Sequence, residues 1–481
     1  MPQQEQFPAV PAIASPGLPD TLPECHQLIG AQGKQILVLL ERVSLLEERV
    51  NLDSRNSSKP PSCDGPASGN RRQRRASGRK RGAQPGHTGS YRALLDDSEV
   101  DTIVECKPSD LCACGGAVVP DDDAPIRHQV FDVPPVAAHV SEYRRYAGRC
   151  AGCGKAHRAA LPAGVPSGQI GPRALALVGA LGTHFHLTQH KTRQLMAQLT
   201  GVDFSVGAIS QAQGKVAQAL QGPVHQISQH VAQAPVKHMD ETRYPREGSG
   251  NWVWGVVTPT AAWYSLLPSR ARYVATSLVG EQVTGIVVSD RYAVYDYVDA
   301  SQRQVCWSHL VRDFTRISHR AGCAGRIGSA LLACGWLLFR WREKAKSKAG
   351  FDPLQRRIRR LLLQGIAQSG CKRTANTCAN LIKLWPALWT FLERADVPPT
   401  NNEAERALRA IVLKRKISGP TRSARGDLFI ARGFSVQETC RRQGRDLWSY
   451  LHEAVVAWID KAAPPSLLPQ GALENAVVPS G

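Results

Sequence analysis

Residues 236–242 read VKHMDET and residues 285–290 read GIVVSD, and each is a short extended run that ends in an acid. Between them, residues 251–257 (NWVWGVV) and 262–267 (AWYSLL) are typical of strands, and residues 272–279 are typical of a helix. The predicted order is strand, strand, strand, helix, strand. This order indicates an α/β fold built on a mixed sheet.

The acids near the ends of the first and fourth predicted strands are Asp240 and Asp290. If these two strands are neighbours, the carboxylates lie side by side and repel each other unless a divalent cation sits between them. Hard oxygen ligands suit Mg²⁺ or Mn²⁺. We therefore expect a metal site where these two strands end.

A third acid follows in residues 401–409, NNEAERALR, a helical stretch whose asparagines can cap it. Two Asp and one Glu that hold two metal ions can promote in-line attack on a phosphodiester. The acids also have structural explanations. On a helix surface Glu403 can pair with Arg406, and Glu405 can pair with Arg409. Aspartate is also a common turn residue at strand ends.

Charge balance and cysteine usage limit the function classes. The 481 residues include 60 Lys and Arg against 40 Asp and Glu, a formal net charge of +20. This excess favours nucleic acid or an anionic membrane surface over a neutral small molecule as partner. Neither a transmembrane segment nor a secretory signal is predicted, so we expect a cytoplasmic protein without membrane association. The odd number of 13 cysteines favours metal binding or burial over a disulfide framework.

The N-terminal part of the chain begins with two contrasting segments. Residues 1–24 are rich in Pro, Gln and Ala and are predicted to be disordered. Residues 25–53 are predicted to form a leucine-zipper-like helix, either a homomeric zipper or an amphipathic helix that docks on its own protein. The apolar a and d positions of this helix are Ile36, Leu39, Val43, Leu46 and Val50.

Residues 54–100 are predicted to be a basic linker. Its cluster of positive charges contains no acid and is expected to bind phosphates by releasing counterions. A solvated tail is the alternative interpretation. The charged residues are Arg71, Arg72, Arg74, Arg75, Arg79, Lys80 and Arg81.

Two cysteine pairs predict a zinc-finger-like domain over residues 101–165. Residues 150–154 (CAGCG) have the form of a zinc knuckle, and residues 112–116 (CACGG) are a tighter version. Strand-like alternation in residues 128–150 predicts a small sheet between them, as in a zinc ribbon. A Zn²⁺ ion held by four thiolates would be structural; Cys106 is a substitute ligand, and a metal-free knuckle is the alternative. The predicted ligands are Cys112, Cys114, Cys150 and Cys153.

The remaining chain is divided by its helical patterns. Residues 166–233 are predicted to be helical and resemble a helix-turn-helix DNA-binding segment. Residues 234–320 and 399–463 are predicted to form the two parts of the core. Residues 321–398 form a helical insertion with basic faces, which would contact DNA, form a dimer surface or remain solvated. Residues 464–481 are predicted to be a disordered tail.

Taken together, these residues resemble the IS66 family of transposases from bacterial insertion sequences, nearly from end to end. The resemblance extends from the leucine-rich helix through the cysteine-rich region to the C-terminal helices. The motifs that carry it are NSSKPPSCDGP (56–66), RKRGAQPGHTG (79–89), DET (240–242), SDRY (289–292), CWSHL (306–310), NNEAERALR (401–409), ETC (438–440) and YL (450–451).

The resemblance implies a DDE catalytic core of RNase H-like fold that uses Mg²⁺ or Mn²⁺, preceded by a small zinc-ribbon-like domain and an N-terminal helix. Carried over residue by residue, it implies Asp240, Asp290 and Glu405 as the catalytic acids and Mg²⁺ ligands. It favours Glu405 over Glu403. The chain departs from the family in the first knuckle, where Cys-x-Cys replaces Cys-x-x-Cys.

The activity implied is cleavage of phosphodiesters at transposon ends and transfer of the 3′-hydroxyl ends to target DNA. A non-catalytic DNA-binding protein and a nuclease that does not join ends are the alternatives. Homo-oligomers, small accessory proteins of the same element and association with the nucleoid are further expectations. The basic residues expected to contact DNA from the third-acid helix are Arg406, Arg409, Arg415 and Lys416.

Overall fold

The computed structural model describes residues 21–53, 56–57, 82–83, 86–89, 92–119, 125–344 and 347–468. The chain divides into two compact units. The first comprises Met1–Ser68, Val140–Gln198 and Val202–Gly481, and the second comprises Gly69–His139 and Leu199–Gly201. Three predicted features lie largely or entirely outside the described residues: the N-terminal arm up to position 20, the basic run at 71–81, and the tail from position 469.

Helices and strands alternate along the first unit. The strands are β1 (Ala147–Arg149), β2 (Ala156–Arg158), β3 (Val236–Arg243), β4 (Trp252–Val257), β5 (Ala262–Leu267), β6 (Ile286–Ser289) and β7 (Arg303–Val305). The helices are α1 (Leu22–Val50), α2 (Pro172–Thr183), α3 (Gln189–Thr200), α4 (Val206–Ala219), α5 (Gln221–Gln233), α6 (Arg272–Val279), α7 (Trp307–Ser318), α8 (Gly322–Glu343), α9 (Asp352–Gln368), α10 (Lys372–Lys383), α11 (Thr390–Glu393), α12 (Asn402–Ser418), α13 (Ala424–Gln443) and α14 (Leu447–Ile459).

A five-stranded mixed sheet organises the first unit, as the alternating strand patterns predict. Its order is β5-β4-β3-β6-β7. Strands β3, β4 and β5 form an antiparallel meander, whereas β6 pairs in parallel with both β3 and β7. The parallel pairings follow crossovers, so β3 comes to lie at the centre of the sheet.

Side chains of β6 alternate between two hydrophobic clusters. Val287 belongs to the first cluster, which includes buried residues of α2, α4, α5, α13 and α14. Ile286 and Val288 belong to the second, which includes buried residues of α7, α8, α9, α10 and α11. Because neighbouring residues of a strand point to opposite faces, this short apolar strand is covered on both sides.

Strand β7 is not predicted by the local sequence pattern. Its first two residues are Arg303 and Gln304, which do not suggest a buried strand, yet neither is exposed to solvent. The Arg303 guanidinium donates to Ser289 Oγ at 3.2 Å, to the Asp290 carbonyl oxygen at 2.9 Å and to Asp296 at 2.9 Å. A buried cation is tolerated here because its donors have partners.

Helix α1 has an anchored end and an exposed apolar stripe. The carboxylate of Glu48 pairs with Arg320 at 2.8 Å and also with Arg373. The heptad positions nevertheless remain in solvent: Ile36 is 56% exposed and Val50 is 83% exposed. The helix therefore contacts its own chain, while most of its apolar stripe has not been buried.

The cysteine-rich region contains less sheet than its sequence predicts. Residues 128–146 form no strand, and the described strands nearby are β1 and β2, a hairpin that encloses the second cysteine knuckle. Pro134 and Pro135 cannot donate to a ladder, and the apolar Val130 and Val133 are exposed. The prediction of a sheet through this segment was wrong because the alternation has no partner strand to pair with.

The helix-turn-helix pattern corresponds to α3 and α4. Helix α3 ends at Thr200, and Ser205 caps α4 by accepting the Ala208 N–H at 3.1 Å. A serine side chain at this position satisfies one of the N–H groups that a helix start leaves without partners.

Helix α8 is long and apolar enough to cross a membrane. Its residues Ile327, Leu331, Cys334 and Leu338 are buried in the second hydrophobic cluster. They pack against other helices of the same unit, as the residues of a core helix do.

The start of β6 depends on Gly285. Its φ is +72°, and a Cβ atom there would lie 2.4 Å from the Pro235 carbonyl oxygen. We expect Gly285→Ala to lower the free energy of unfolding by about 2–5 kcal/mol, from the left-handed conformation and the clash with backbone together. Chemical denaturation would measure the loss.

Gly444→Ala is the matched control. Gly444 also has a positive φ, +66°, but a Cβ there would have no neighbour within 4 Å. The control should cost only about 1–2 kcal/mol. Equal losses in the two variants would contradict a role for the close approach between Gly285 and Pro235.

Candidate active site

The register between β3 and β6 brings two acids together. Val236 pairs with Ile286 and His238 with Val288. Asp240 lies two residues beyond His238 in β3 and Asp290 lies two residues beyond Val288, directly after β6, so the register carries both acids toward the same end of the sheet. The charge of Asp290 is close enough to help raise the pKa of Asp240, after burial and the charge of Glu241. Asp290 directly follows β6, and its Oδ1 accepts the Tyr292 N–H at 2.9 Å, which fixes the turn.

A glycine allows α12 to approach the same face. Gly255 of β4 pairs with Asp240 of β3. A Cβ at this position would lie 3.2 Å from Tyr264 and 3.4 Å from Leu408 of α12. The missing side chain leaves room for the first half of α12, which carries Glu405, beside the central strand.

Asn401 ties the start of α12 to the sheet. Its Nδ2 donates to the Met239 carbonyl oxygen at 2.7 Å, and its Oδ1 lies 3.0 Å from His238 Nδ1. Its backbone N–H donates to Cys306 Sγ at 3.1 Å. The sequence predicts a helix cap here, but the Asn401 side chain makes no cap hydrogen bond and bonds β3 instead. Because this side chain is fully buried, its polar atoms bond the backbone and the His238 side chain of β3 instead of the start of the helix.

The two glutamates of α12 have different surroundings. Glu403 pairs with Arg406, as predicted, and its other oxygen lies 3.3 Å from Arg442 Nη1. Glu405 turns instead toward α7, with Oε1 at 3.5 Å from His309 Nδ1 and Oε2 at 3.6 Å from Arg312 Nη2. Residues two apart on a helix point about 200° from each other, which separates their roles.

His309 supplies positive charge beside these acids. Burial alone would lower the pKa of His309, but Cys306, Glu405 and Asp290 outweigh it and raise the pKa to about 9. The imidazole is therefore protonated at neutral pH in the absence of a metal ion. The sequence analysis gave no role to His309 or Arg312; their spacing on the first turns of a helix after a short strand is the signal that points to them.

A fourth carboxylate, Glu241, lies next to Asp240 but is already neutralised. Its Oε1 accepts from Arg270 Nε at 2.6 Å, and its Oε2 accepts the Tyr295 hydroxyl at 2.6 Å. Burial and the charge of Asp290 nevertheless raise the pKa of Glu241. This arrangement also escaped the sequence analysis, because Arg270 and Tyr295 are distant from Glu241 along the chain.

The electrostatics of Asp240 fit a hard cation. Burial, and then the negative charges of Glu241 and Asp290, raise the pKa of Asp240 well above its usual range. Glu405 Oε1 is buried and has no hydrogen-bond partner among the described residues. A divalent cation would relieve the repulsion and satisfy this oxygen, so the residues present suit Mg²⁺ or Mn²⁺.

The other residues predicted to act at sites are distributed differently. Arg406, Arg409 and Lys416 are exposed on α12 and Arg415 is half-buried, whereas the basic run at 71–81 lies outside the described residues. The structure thus places four of the predicted DNA contacts on the helix that carries Glu405.

The predicted zinc ligands belong to both units: Cys112 and Cys114 to the second, and Cys150 and Cys153 to the first. In each knuckle backbone N–H groups face a sulfur. The Gly116 N–H lowers the pKa of Cys114, and the Cys153 N–H lowers that of Cys150. Such amide contacts favour the thiolate form that binds metals.

Comparison with known proteins matches the sequence that forms this sheet and helix to a family. A model of the IS66 transposase family covers residues 167–427, which include all of the five-stranded sheet and α12. The chain belongs to the IS66 transposase family. A second model, of a family of unknown function, matches residues 22–93 of this IS66 protein.

Two curated relatives of this family member come from Sinorhizobium fredii (strain NBRC 101917 / NGR234). The uncharacterized protein y4hP is 24% identical over 413 residues, which cover 76% of this chain and 73% of the relative. The uncharacterized protein y4jO is 28% identical over 177 residues, covering 34% of this chain and 51% of the relative. Membership of a transposase family implies a DNA substrate and nuclease or transferase activity in general.

The raised pKa of Asp240 predicts how pH acts on the metal-free protein. Because the folded state favours the protonated acid, it loses stability as pH rises through the raised pKa. Asp240→Asn keeps the side chain neutral and should escape this loss. In EDTA the variant should exceed the wild type in melting temperature at about pH 8.5, and the gap should shrink at about pH 5.5.

Asp460→Asn provides the control, because Asp460 is an exposed acid at the end of α14. Its melting temperature should follow the wild type at both pH values. A pH-independent gap for Asp240→Asn would show that repulsion among the buried acids is not what destabilises the metal-free site.

Proposed function

We propose that this IS66 family member is a DDE transposase. It would bind the terminal repeats of its element, hydrolyse phosphodiesters at the element ends and transfer the 3′-hydroxyl ends to target DNA. The observation that carries the proposal is the meeting of Asp240, Asp290 and Glu405 on one face of the sheet. The net charge of +20 supports a polyanionic substrate.

The strand order supports an RNase H-like core. An antiparallel meander continues into two parallel strands, and the acids lie on its central strand, after the neighbouring parallel strand and on a helix packed across them. This arrangement agrees with the fold that the family resemblance implies. Residues 321–398, which include all of α8 to α11, would be an insertion between the second and third acids.

Asp240, Asp290 and Glu405 would hold the Mg²⁺ or Mn²⁺ ions. When bound, such ions activate water or a 3′-hydroxyl as nucleophile and stabilise the leaving oxygen. The chain itself prepares the site. Asn401 holds α12 against β3, and the Arg270 and Tyr295 contacts keep Glu241 away from the reacting group. These contacts would position the acids before DNA binds. Such preorganisation is a major source of rate enhancement in enzymes.

Basic residues would hold the DNA backbone. Arg406 and Arg409 lie one turn or less from Glu405 and would reach scissile or flanking phosphates, with Arg415 and Lys416 further along α12. The basic run at 71–81 would add contacts that do not depend on sequence. Exposed arginines of α9, at positions 356, 359 and 360, give the insertion a surface suited to the same partner.

The cysteine knuckles would hold a structural Zn²⁺ through Cys112, Cys114, Cys150 and Cys153. The amide contacts at Cys114 and Cys150 support this assignment, since they stabilise thiolates. The protein would act in the bacterial cytoplasm, on nucleoid DNA, together with small accessory proteins of the same element.

Two alternatives differ in chemistry: a DNA-binding protein without activity, and a nuclease that does not join ends. The decisive test uses labelled terminal-repeat DNA with Mg²⁺ and follows both cleavage and joining to a target. Cleavage with joining supports the transposase, cleavage alone supports the nuclease, and binding alone supports the inactive protein.

The surroundings of the two α12 glutamates predict different roles. Glu405→Gln should lower strand cleavage by several orders of magnitude, because it removes the negative charge of a metal-ligand carboxylate whose Oε1 has no hydrogen-bond partner among the described residues. Glu403→Gln should retain cleavage and lose about 0.5–1 kcal/mol of stability, since its ion pairs are partly exposed. Cleavage rates and denaturation curves would measure both.

Asp240→Asn completes this comparison. It should abolish cleavage while leaving DNA affinity nearly unchanged, because Asp240 contributes no positive charge to phosphate binding. Wild-type cleavage in Asp240→Asn would remove the DDE assignment. The opposite ranking of the two glutamates would assign the third acid to Glu403.

We also propose that α1 is the dimerisation helix. Apolar residues recur every seventh position over its full length, at Leu22, Ile29, Ile36, Val43 and Val50, and all are exposed. Leu39 and Leu46 occupy the d positions between them. β-Branched residues at a with leucine at d favour a parallel two-stranded coiled coil.

This proposal predicts the oligomeric state of the whole chain. The wild type should sediment as a dimer at micromolar concentration, and the double variant Ile36→Asp with Val43→Asp as a monomer, because two charges would enter the seam. Lys34→Asp changes charge on the opposite side of α1 and should remain dimeric. A monomeric wild type, or a dimeric double variant, would contradict the zipper.

A further inference from the structure

Three side chains with metal-binding atoms meet where α7 and α12 begin. Cys306 directly precedes α7, His309 lies in its first turn, and Glu405 lies in the first turn of α12. One ligand atom from each residue lies within 4.8 Å of the others. Only small side-chain movements would bring the three atoms around a single ion.

Two of these atoms are buried without a hydrogen-bond partner. His309 Nδ1 and Glu405 Oε1 have no hydrogen-bond partner among the described residues, although they lie only 3.5 Å apart. Buried polar atoms in native proteins nearly always have a partner, and exceptions call for a ligand or ion that would supply one. The two atoms therefore point to something that fits between them.

The third atom, Cys306 Sγ, has the contacts of a metal ligand. Cys306 is fully buried, and its sulfur accepts the Asn401 N–H at 3.1 Å. This contact holds the sulfur in place at the edge of the cluster, and cysteine sulfur is a common ligand in zinc sites. The cluster is reached from the side of His309 and Glu405, whose side chains are 15% and 29% exposed.

The ligand chemistry separates this cluster from the adjacent acids. A thiolate and an imidazole suit Zn²⁺ and similar ions, whereas Mg²⁺ prefers oxygen ligands alone. We propose that Cys306, His309 and Glu405 form a second metal site, selective for a thiophilic divalent ion such as Zn²⁺, whose occupation takes Glu405 away from Asp240 and Asp290. Inhibition of cleavage by Zn²⁺ follows, and this consequence alone rests on the proposed function.

Binding at His309 Nδ1 requires two local changes. The ion replaces the proton at Nδ1, and the remaining ring proton then sits on Nε2. Arg312, whose Nη1 lies 3.3 Å from Nε2, has to turn away because a proton on Nε2 makes both atoms donors, in the protonated imidazole and in the metal-bound form alike. Its side chain is 29% exposed and already lies near Glu405 Oε2, so it has room to move.

The binding test uses the full-length chain with Co²⁺ as the probe, because Co²⁺ accepts zinc ligands and absorbs strongly when a thiolate coordinates it. Cys306→Ser keeps an acceptor for the Asn401 N–H but removes the sulfur. The matched control is Cys334→Ser, a buried cysteine of α8. Ions held by the cysteine knuckles are common to all variants and cancel in the comparison.

We expect the wild type and Cys334→Ser to bind one more Co²⁺ per chain than Cys306→Ser. Affinity for the additional ion should fall by about 10–100-fold or more in Cys306→Ser, since even outer-shell substitutions at metal sites cost that much. His309→Gln should show the same loss, which keeps the test decisive if one variant folds poorly. Equal binding in wild type, Cys306→Ser and His309→Gln would overturn the proposal.

Activity is measured separately, with Zn²⁺ titrated into Mg²⁺-supported cleavage and each variant compared with its own zinc-free rate. Zn²⁺ should inhibit the wild type and Cys334→Ser at concentrations that leave Cys306→Ser unaffected. Equal inhibition of all three would overturn the link between the second site and Glu405. If the wild type cleaves no DNA, the proposed function fails, while the Co²⁺ titration still decides whether the site exists.

Discussion

The parallel pairing of β3 with β6 brings two aspartates to the same end of the sheet. Much of the surrounding structure offsets the repulsion between them. Neither β3 nor β6 can shift by one residue without moving its side chains to the other face, so the register fixes the end of the sheet at which Asp240 and Asp290 lie. Burial, and then the negative charges of Glu241 and Asp290, raise the pKa of Asp240. Apolar side chains packed on both sides of β6 contribute favourable free energy of folding, which offsets the repulsion between the carboxylates.

Polar contacts around the acids fix the positions of the strands and helices that carry them. Asn401 joins β3, the beginning of α7 and the beginning of α12 through three contacts. Arg270 and Tyr295 fix Glu241, so that one of the four carboxylates is neutralised by the protein itself. The remaining acids have weaker partners, which suits a site whose missing positive charge arrives with a bound cation.

Helix α13 extends the core beyond the matched family region, which ends at Asp427. It packs on β5, the edge strand of the meander. The hydroxyls of Ser435 and Thr439 accept the N–H groups of Tyr264 and Ala262 at 2.9 and 3.1 Å. An exposed edge strand invites pairing with other chains, and these contacts close that edge with a helix.

The local pattern was enough to predict the strands β3 to β6, the helix between β5 and β6, and carboxylates at Asp240, Asp290 and the start of α12, because periodicity and residue type are local properties. It could not find β7, whose buried Arg303 looks exposed until its partners are known. It wrongly predicted a strand near Val130, where alternation lacks a partner. Only the tertiary structure decided that Glu405 rather than Glu403 faces α7, and that His309 lies beside it. Those choices depend on how separate helices pack, which no single segment encodes.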